Sequence, residues 1–214
     1  MAVHHVTPCA VEGDTCLTES GKHTPSLIVK AMERQWANAL IQQGEIKFTN
    51  VAKYRNEESP TLGDMNEGKG QFQFNGANID VEYGSNALIF CSSLHTISRE
   101  SLLETASEGG YDCYISIHDV LGFVGRIKSQ LINNGAHFYM MHDYVTYNRG
   151  LCVSDTVLQR QKFASNVFQK DISYSHQCEY RLCLLDYAMH TKYREWFKIK
   201  IGDCSDIATI NSLQ

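Results

Sequence analysis

Several features are missing from this sequence, and each absence narrows what the chain can be. No uninterrupted apolar run approaches the roughly 18 residues of a membrane-crossing helix. Met1 to His23 also lacks the basic start and apolar stretch of a secretory leader. A soluble, cytoplasmic protein with no membrane partner is therefore expected. Positive charge is not in excess: 19 Lys+Arg stand against 24 Asp+Glu, leaving a formal charge of −5 and no electrostatic ground for gripping nucleic-acid phosphates. No internal repeat, linker or phosphate-cradling glycine loop is present, so one domain is expected. None of the 8 cysteines forms a C-x-x-C pair, and tetrahedral zinc sites draw two ligands from one tight turn. A chain of 214 residues buries enough core to need no disulfide, so the thiols are expected to be reduced. His137 and His142 lie five apart and His4 and His5 are adjacent, neither being the spacing of a helical ligand pair.

What is present is a series of short periodic segments. Residues 1–24 are small and polar without apolar periodicity and predict a flexible lead-in, with the domain proper spanning 25–214. Ser26 to Lys30 predicts a short buried strand. Met32, Trp36 and Leu40, beside Ala37 and Ile41, predict an amphipathic helix that Gly44 ends in the left-handed conformation. Glu45 to Asn50 alternates as a strand with Ile46 and Phe48 on one face. A hairpin is expected about Asn75-Gly76, with arms at 71–74 and 79–83, and a central strand at Ala87 to Cys91. A weak helix is expected at Arg99 to Ala106 and a strand at Tyr111 to His118. Asp119 is placed to cap a helix with a stripe of Leu121, Val124, Ile127 and Leu131, in which Gly122 and Gly125 either weaken the helix or mark close packing. Strands follow at His137 to Met141 and Asp143 to Tyr147, a helix at Val157 to Gln169, and last strands at Glu179 to Leu185 and Trp196 to Ile201. Two or three helices scattered irregularly among seven to nine strands predict an α+β fold with mixed or antiparallel sheets.

Three constellations could carry chemistry. If Gln177, Glu179 and Arg181 lie on one strand they share a face, about 6.6 Å apart in turn, over an apolar underside of Cys178, Tyr180 and Leu182. The plain alternative is a half-buried sheet whose solvated face pairs Glu179 with Arg181. Tyr54-Arg55 ends a strand, where a guanidinium fork holds a phosphate or carboxylate while the ring stacks on a base. The loop from Asn56 to Gly68 carries Glu57, Glu58, Asp64 and Glu67 and no cation, so these carboxylates repel one another unless solvent or a partner relieves them. Their spacing lacks the alternation of a calcium loop, and no metal site is predicted.

The order Leu27-Ile28-Val29-Lys30, helix, Gly44-Glu45-Ile46-Lys47-Phe48, Tyr54-Arg55, Gly63-Asp64 with Glu67-Gly68, Phe168-Gln169-Lys170 with Gln177-Cys178-Glu179-Tyr180-Arg181, and Ile201-Gly202-Asp203-Cys204-Ser205-Asp206-Ile207 resembles a family of uncharacterised bacterial and phage proteins over roughly residues 26–210. The opening strand, helix, glycine, strand unit with a late Gln-x-Glu is more distantly similar to the ADP-ribosyltransferase fold. That resemblance implies NAD as a substrate rather than a resident cofactor. Glu179 would receive the nicotinamide ribose 2′-OH and stabilise an oxocarbenium-like transition state, with Gln177 toward the acceptor. Ser92 or Ser93 would take the middle-strand serine's place and Lys30 or Arg55 the first basic position, with Tyr54 and Arg181 beside the nucleotide. The competing expectation is a non-catalytic nucleotide-binding or host-interaction module of a mobile element, in which Arg55, Gln177 and Arg181 hold a phosphate. A third is an interaction protein that meets a protein partner through the acidic loop.

Overall fold

The strand β1, Ile28–Met32, is buried at four of its five positions and has neighbours on both edges, β5 (Ala87–Leu94) and β6 (Cys113–Ile117), each antiparallel. The computed structural model describes residues 22–56, 63–74, 76–82, 86–136, 138–149, 152–153, 165–186 and 194–213. Most of the expected lead-in, residues 1–21, lies outside them. The first helix, α1 (Arg34–Gln43), buries Ala37 and Leu40, with Ile41 packed beside them. Trp36, expected on that apolar face, is instead 47% exposed, its ring lying 4.7 Å from the Lys198 ammonium. Gly44 closes the helix with φ 61 and donates to Leu40 O at 2.8 Å. Glycine is required there twice over, since a Cβ would also come within 2.3 Å of the Gly202 carbonyl.

After β2 (Glu45–Asn50) and the short α2 (Val51–Arg55), β3 (Lys69–Phe74) and β4 (Ala77–Glu82) pair as the expected hairpin from Phe74↔Ala77, with Gly76 at φ 77 between them and Asn75 outside the described residues, the second arm starting two residues earlier than the alternation suggested. With β8 (Cys152–Val153), parallel to β3, the hairpin forms a small three-stranded sheet. Then come α3 (Arg99–Gly109) and α4 (Val120–Asn133). Asp119 caps α4 by accepting from Gly122 N at 2.9 Å, and a Cβ on Gly122 would meet that same carboxylate at 2.2 Å. Close packing against the cap is thus the reason for this glycine. Leu121 faces outward, 38% exposed, and Val120 and Phe123 replace it in the buried stripe with Val124, Ile127 and Leu131.

The two strands expected between 137 and 147 are one, β7 (Phe138–Tyr144), which pairs without a break from Phe138↔Asp186 to Tyr144↔Tyr180. Its partner, β9 (Glu179–Asp186), also pairs along its length with β5. The main sheet runs β10 (Trp196–Lys200), β2, β5, β1, β6, β11 (Ala208–Ser212), with β9 and β7 joined through β5. No periodic apolar pattern announced β11, a half-exposed edge strand. Of the helix expected at 157–169, residues 157–164 lie outside the described ones, and Ser165–Phe168 form a 3-10 turn. The architecture is α+β with mostly antiparallel sheets, as the element pattern predicted, but the described residues form four α-helices and eleven strands where two or three and seven to nine were expected. Among the described residues no helix is long and apolar enough to cross a membrane.

The solvated face expected on the late strand does not exist: every residue of β9 is buried. The reason is packing on both sides of the sheet. Tyr180, Leu182 and Leu184 join the larger core with α1 and α4, while Cys183 and Leu185 join a second core with Val51, Val167 and Phe168. Polar groups on that second face must find partners within the protein.

Candidate functional site

The site begins where the sheet forks. On one edge of β5, β1 pairs only at Val29↔Ser93 and Ile28↔Leu94, and β2 only at Asn50↔Leu88 and Thr49↔Ile89. Phe90, Cys91 and Ser92 therefore have no strand beside them on that edge. Lys30, reaching from β1, donates to the Cys91 carbonyl at 2.6 Å and so satisfies an acceptor that the fork leaves open. The opposite edge of β5 is fully paired, with Cys91↔Arg181 and Ser93↔Glu179.

A cleft of about 160 Å³ opens at the fork. Lys30, Ser92, Ser93, Gln177, Glu179 and Arg181 all line it, as does Tyr54 from α2. The expected strand residues are thus brought together, though not all by strand geometry. Gln177 ends a 3-10 turn (Ile172–Gln177), and Cys178 follows with φ 45, a left-handed residue that resets the chain before β9 begins at Glu179. The side chains are joined by Lys170, which donates to Gln177 Oε1 at 2.6 Å and to Glu179 Oε1. Tyr147 accepts from the Glu179 amide at 2.6 Å and fixes the start of the strand. Lys170 entered the sequence reading only within the Phe168-Gln169-Lys170 segment of the family resemblance, and Tyr147 only as the end of an expected strand. A lysine and a tyrosine in irregular segments carry no local signal of a partner at this site.

Ionic contacts run through the site as a chain. Glu179 Oε2 accepts from Arg181 Nε at 2.6 Å, and the same guanidinium forks onto Glu67, with Nη1 to Oε1 at 2.6 Å and Nη2 to Oε2 at 2.9 Å. Arg181 Nη1 also donates to the Val167 carbonyl. The end of the acidic loop that carries Glu67 therefore lies against the cleft, and its two described carboxylates are not solvated. Glu67 and Asp64 are 1% and 4% exposed, and Asp64 is ion-paired with Arg149. Glu57 and Glu58 lie outside the described residues. Arg55, expected at the ligand, does not line the cleft: its Nε donates to the Glu67 carbonyl at 2.6 Å and its Nη1 to Glu82. It thereby ties the loop to β4. Ser92 lines the cleft, but its hydroxyl donates to the Tyr180 carbonyl at 2.7 Å.

Electrostatics follow from this packing. Burial alone would raise the Glu179 carboxyl, but Arg181 and Lys170 overcome it and hold the group down to about 2, so it is anionic at neutral pH. Burial pushes the Cys91 thiol up to about 11, with the Glu179 charge adding to it. Lys30 is lowered, chiefly by burial. Burial likewise raises the Tyr54 phenol well above its ordinary value. Among the described residues no three His, Cys, Asp or Glu side chains converge as a metal site. The five described cysteines whose side chains are placed are free thiols. No family model matches the chain, and neither a curated protein nor a solved structure does.

Proposed function

We propose that the forked-sheet cleft binds NAD or a related nucleotide, with Glu179 accepting from a ribose hydroxyl, and that the fold is ADP-ribosyltransferase-like. The observation that carries this reading is the pair of side chains at the start of β9: an anionic Glu179 and, two residues before it, Gln177, both lining one cleft. An ionised carboxylate fixed by Arg181 and Lys170 is preorganised and needs no reorientation to face a developing positive charge. A volume of about 160 Å³ suits one ring-sized part of a dinucleotide, with the remainder lying outside, since pockets that enclose whole ligands run to roughly 300–1,000 Å³. The chemistry open to such a site is cleavage of the glycosidic bond to nicotinamide, with transfer of ADP-ribose to an acceptor or to water.

A second reading, nucleotide binding without catalysis, is favoured by one feature. Both Glu179 oxygens already accept from cations, which offsets much of the charge a cationic transition state would use. Nicotinamide release from NAD, followed by chromatography with purified wild type and Glu179→Gln, separates the two. The catalytic reading expects release by wild type and a loss of about 10²- to 10³-fold in the variant. Equal release by both proteins would sink it, and tight NAD binding without release from either would leave the binding module.

A further inference from the structure

The charges that line the cleft do not balance. Among the described residues Lys30, Lys170 and Arg181 face it, against Glu67 and Glu179. Each of those carboxylates is engaged elsewhere, Glu67 by the Arg181 fork and Glu179 between Lys170 and Arg181. Lys30 stands apart from this chain: its ammonium donates to a neutral carbonyl, that of Cys91, and lies 4.9 Å from the centre of the Phe90 ring. Among the described residues no carboxylate reaches ion-pair distance of it. The Cys91 thiol, pushed up to about 11, supplies no negative charge at neutral pH. The Glu179 charge acts on Lys30 only from beyond ion-pair distance, so this cation at the wall of a confined cleft is incompletely compensated, and an anion delivered by a ligand offsets that cost.

We infer that Lys30 is the anchor of an oxyanion subsite, so that the ligand of this cleft presents a phosphoryl or carboxylate group to it. Lys30 has three N–H donors and one is used on the Cys91 carbonyl, which leaves donors for an oxyanion at the fork of the sheet. The subsite also orders the ligand. A group carrying negative charge is drawn to the Lys30 side, and hydroxyl groups are left to the carboxylate of Glu179. The inference rests on the cleft being a ligand site, and it also bears on ligands that are not nucleotides.

Titration calorimetry with inorganic phosphate, ADP-ribose, NAD and uncharged adenosine tests it, using wild type, Lys30→Gln and Lys30→Arg, with thermal melts to establish that each variant folds. Gln keeps a donor for the Cys91 carbonyl without the charge. Phosphate and ADP-ribose should bind wild type, adenosine should not, and Lys30→Gln should weaken the anions by about ten- to a hundredfold while Lys30→Arg retains them. Phosphate binding through Lys30 with no binding of ADP-ribose or NAD would keep the subsite and remove the nucleotide reading. NAD or ADP-ribose binding that is indifferent to Lys30→Gln would overturn the subsite and leave the nucleotide reading in place, and no binding of any anion would overturn both. Should Lys30→Gln fail to fold, wild type labelled with ¹⁵N-lysine decides the matter: the Lys30 side-chain signal must move as phosphate is added, and an unmoved signal overturns the subsite.

Discussion

Glu67 and Arg181 are 114 residues apart in sequence and meet through two parallel hydrogen bonds, with side chains only 2% and 1% exposed. The pair joins the loop ahead of β3 to the middle of β9, and so ties the small sheet to the large one at the edge of the cleft.

Removing Glu67 leaves the buried Arg181 guanidinium with Glu179 as its remaining carboxylate partner, and breaking a buried ion pair typically costs about 3–5 kcal/mol. Glu67→Ala should therefore lower the urea midpoint strongly. The double variant Glu67→Ala with Arg181→Met should lose less than the sum of Glu67→Ala and Arg181→Met made singly, because the fork between the two is broken only once, while Glu179 keeps Lys170. Additive losses in the two single variants would show that the pair is not coupled.

Acid should weaken the fold in two stages. His142 is held down to about 4 from its ordinary 6.5, first by burial and then by Lys128, with Asp143 opposing. Glu179 is held at about 2 from 4.5. Both values are depressed by folding, so between the two values of each group the unfolded chain binds more protons and stability falls with falling pH. The His142 contribution is complete above about pH 6.5 and is lost down to about pH 4, and that of Glu179 is lost from about pH 4.5 to about pH 2. Urea titrations across this range should show the first decline missing in His142→Gln and the second missing in Glu179→Gln.

Gly44→Ala should be among the costlier single-methyl changes in the chain. The left-handed backbone adds about 1–2 kcal/mol for a residue with a Cβ. The Gly202 carbonyl, 2.3 Å from where that Cβ would sit, is main chain and cannot swing aside. A fall in Tm of several degrees is expected by calorimetry, and a Tm within one degree of wild type, at roughly the precision of the method, would contradict it.

The parts of the fold that were legible in the sequence are those whose cause is local. The period of α1, the Gly44 cap, the alternation of β2, the Asp119 cap and the pairing of β3 with β4 about Gly76 all follow from residues within a few positions of one another. The convergence of Gln177, Glu179 and Arg181 was foreseen, although the left-handed Cys178 and the Lys170 bridge achieve it where an unbroken strand was expected. What was not legible depends on residues far away in the chain. The acidic loop looked self-repelling because the arginines that neutralise Asp64 and Glu67 lie 85 and 114 positions downstream. The late strand looked half solvated because alternation reports polarity, and nothing in residues 179–186 signals that a second core covers their polar side.

The place of β5 in the sheet also bears on how the chain reaches its native state. This strand shares one whole edge with β9, where Ala87 meets Leu185 and Ser93 meets Glu179, so its main partner is made roughly ninety residues later. During synthesis the centre of the molecule must wait, apolar and half paired, until the C-terminal third has left the ribosome. Loop closure over such distances precedes the contacts that reward it, which makes assembly slow and exposes a sticky intermediate to its neighbours. The fork that opens the cleft thus sits on the strand whose folding is completed late.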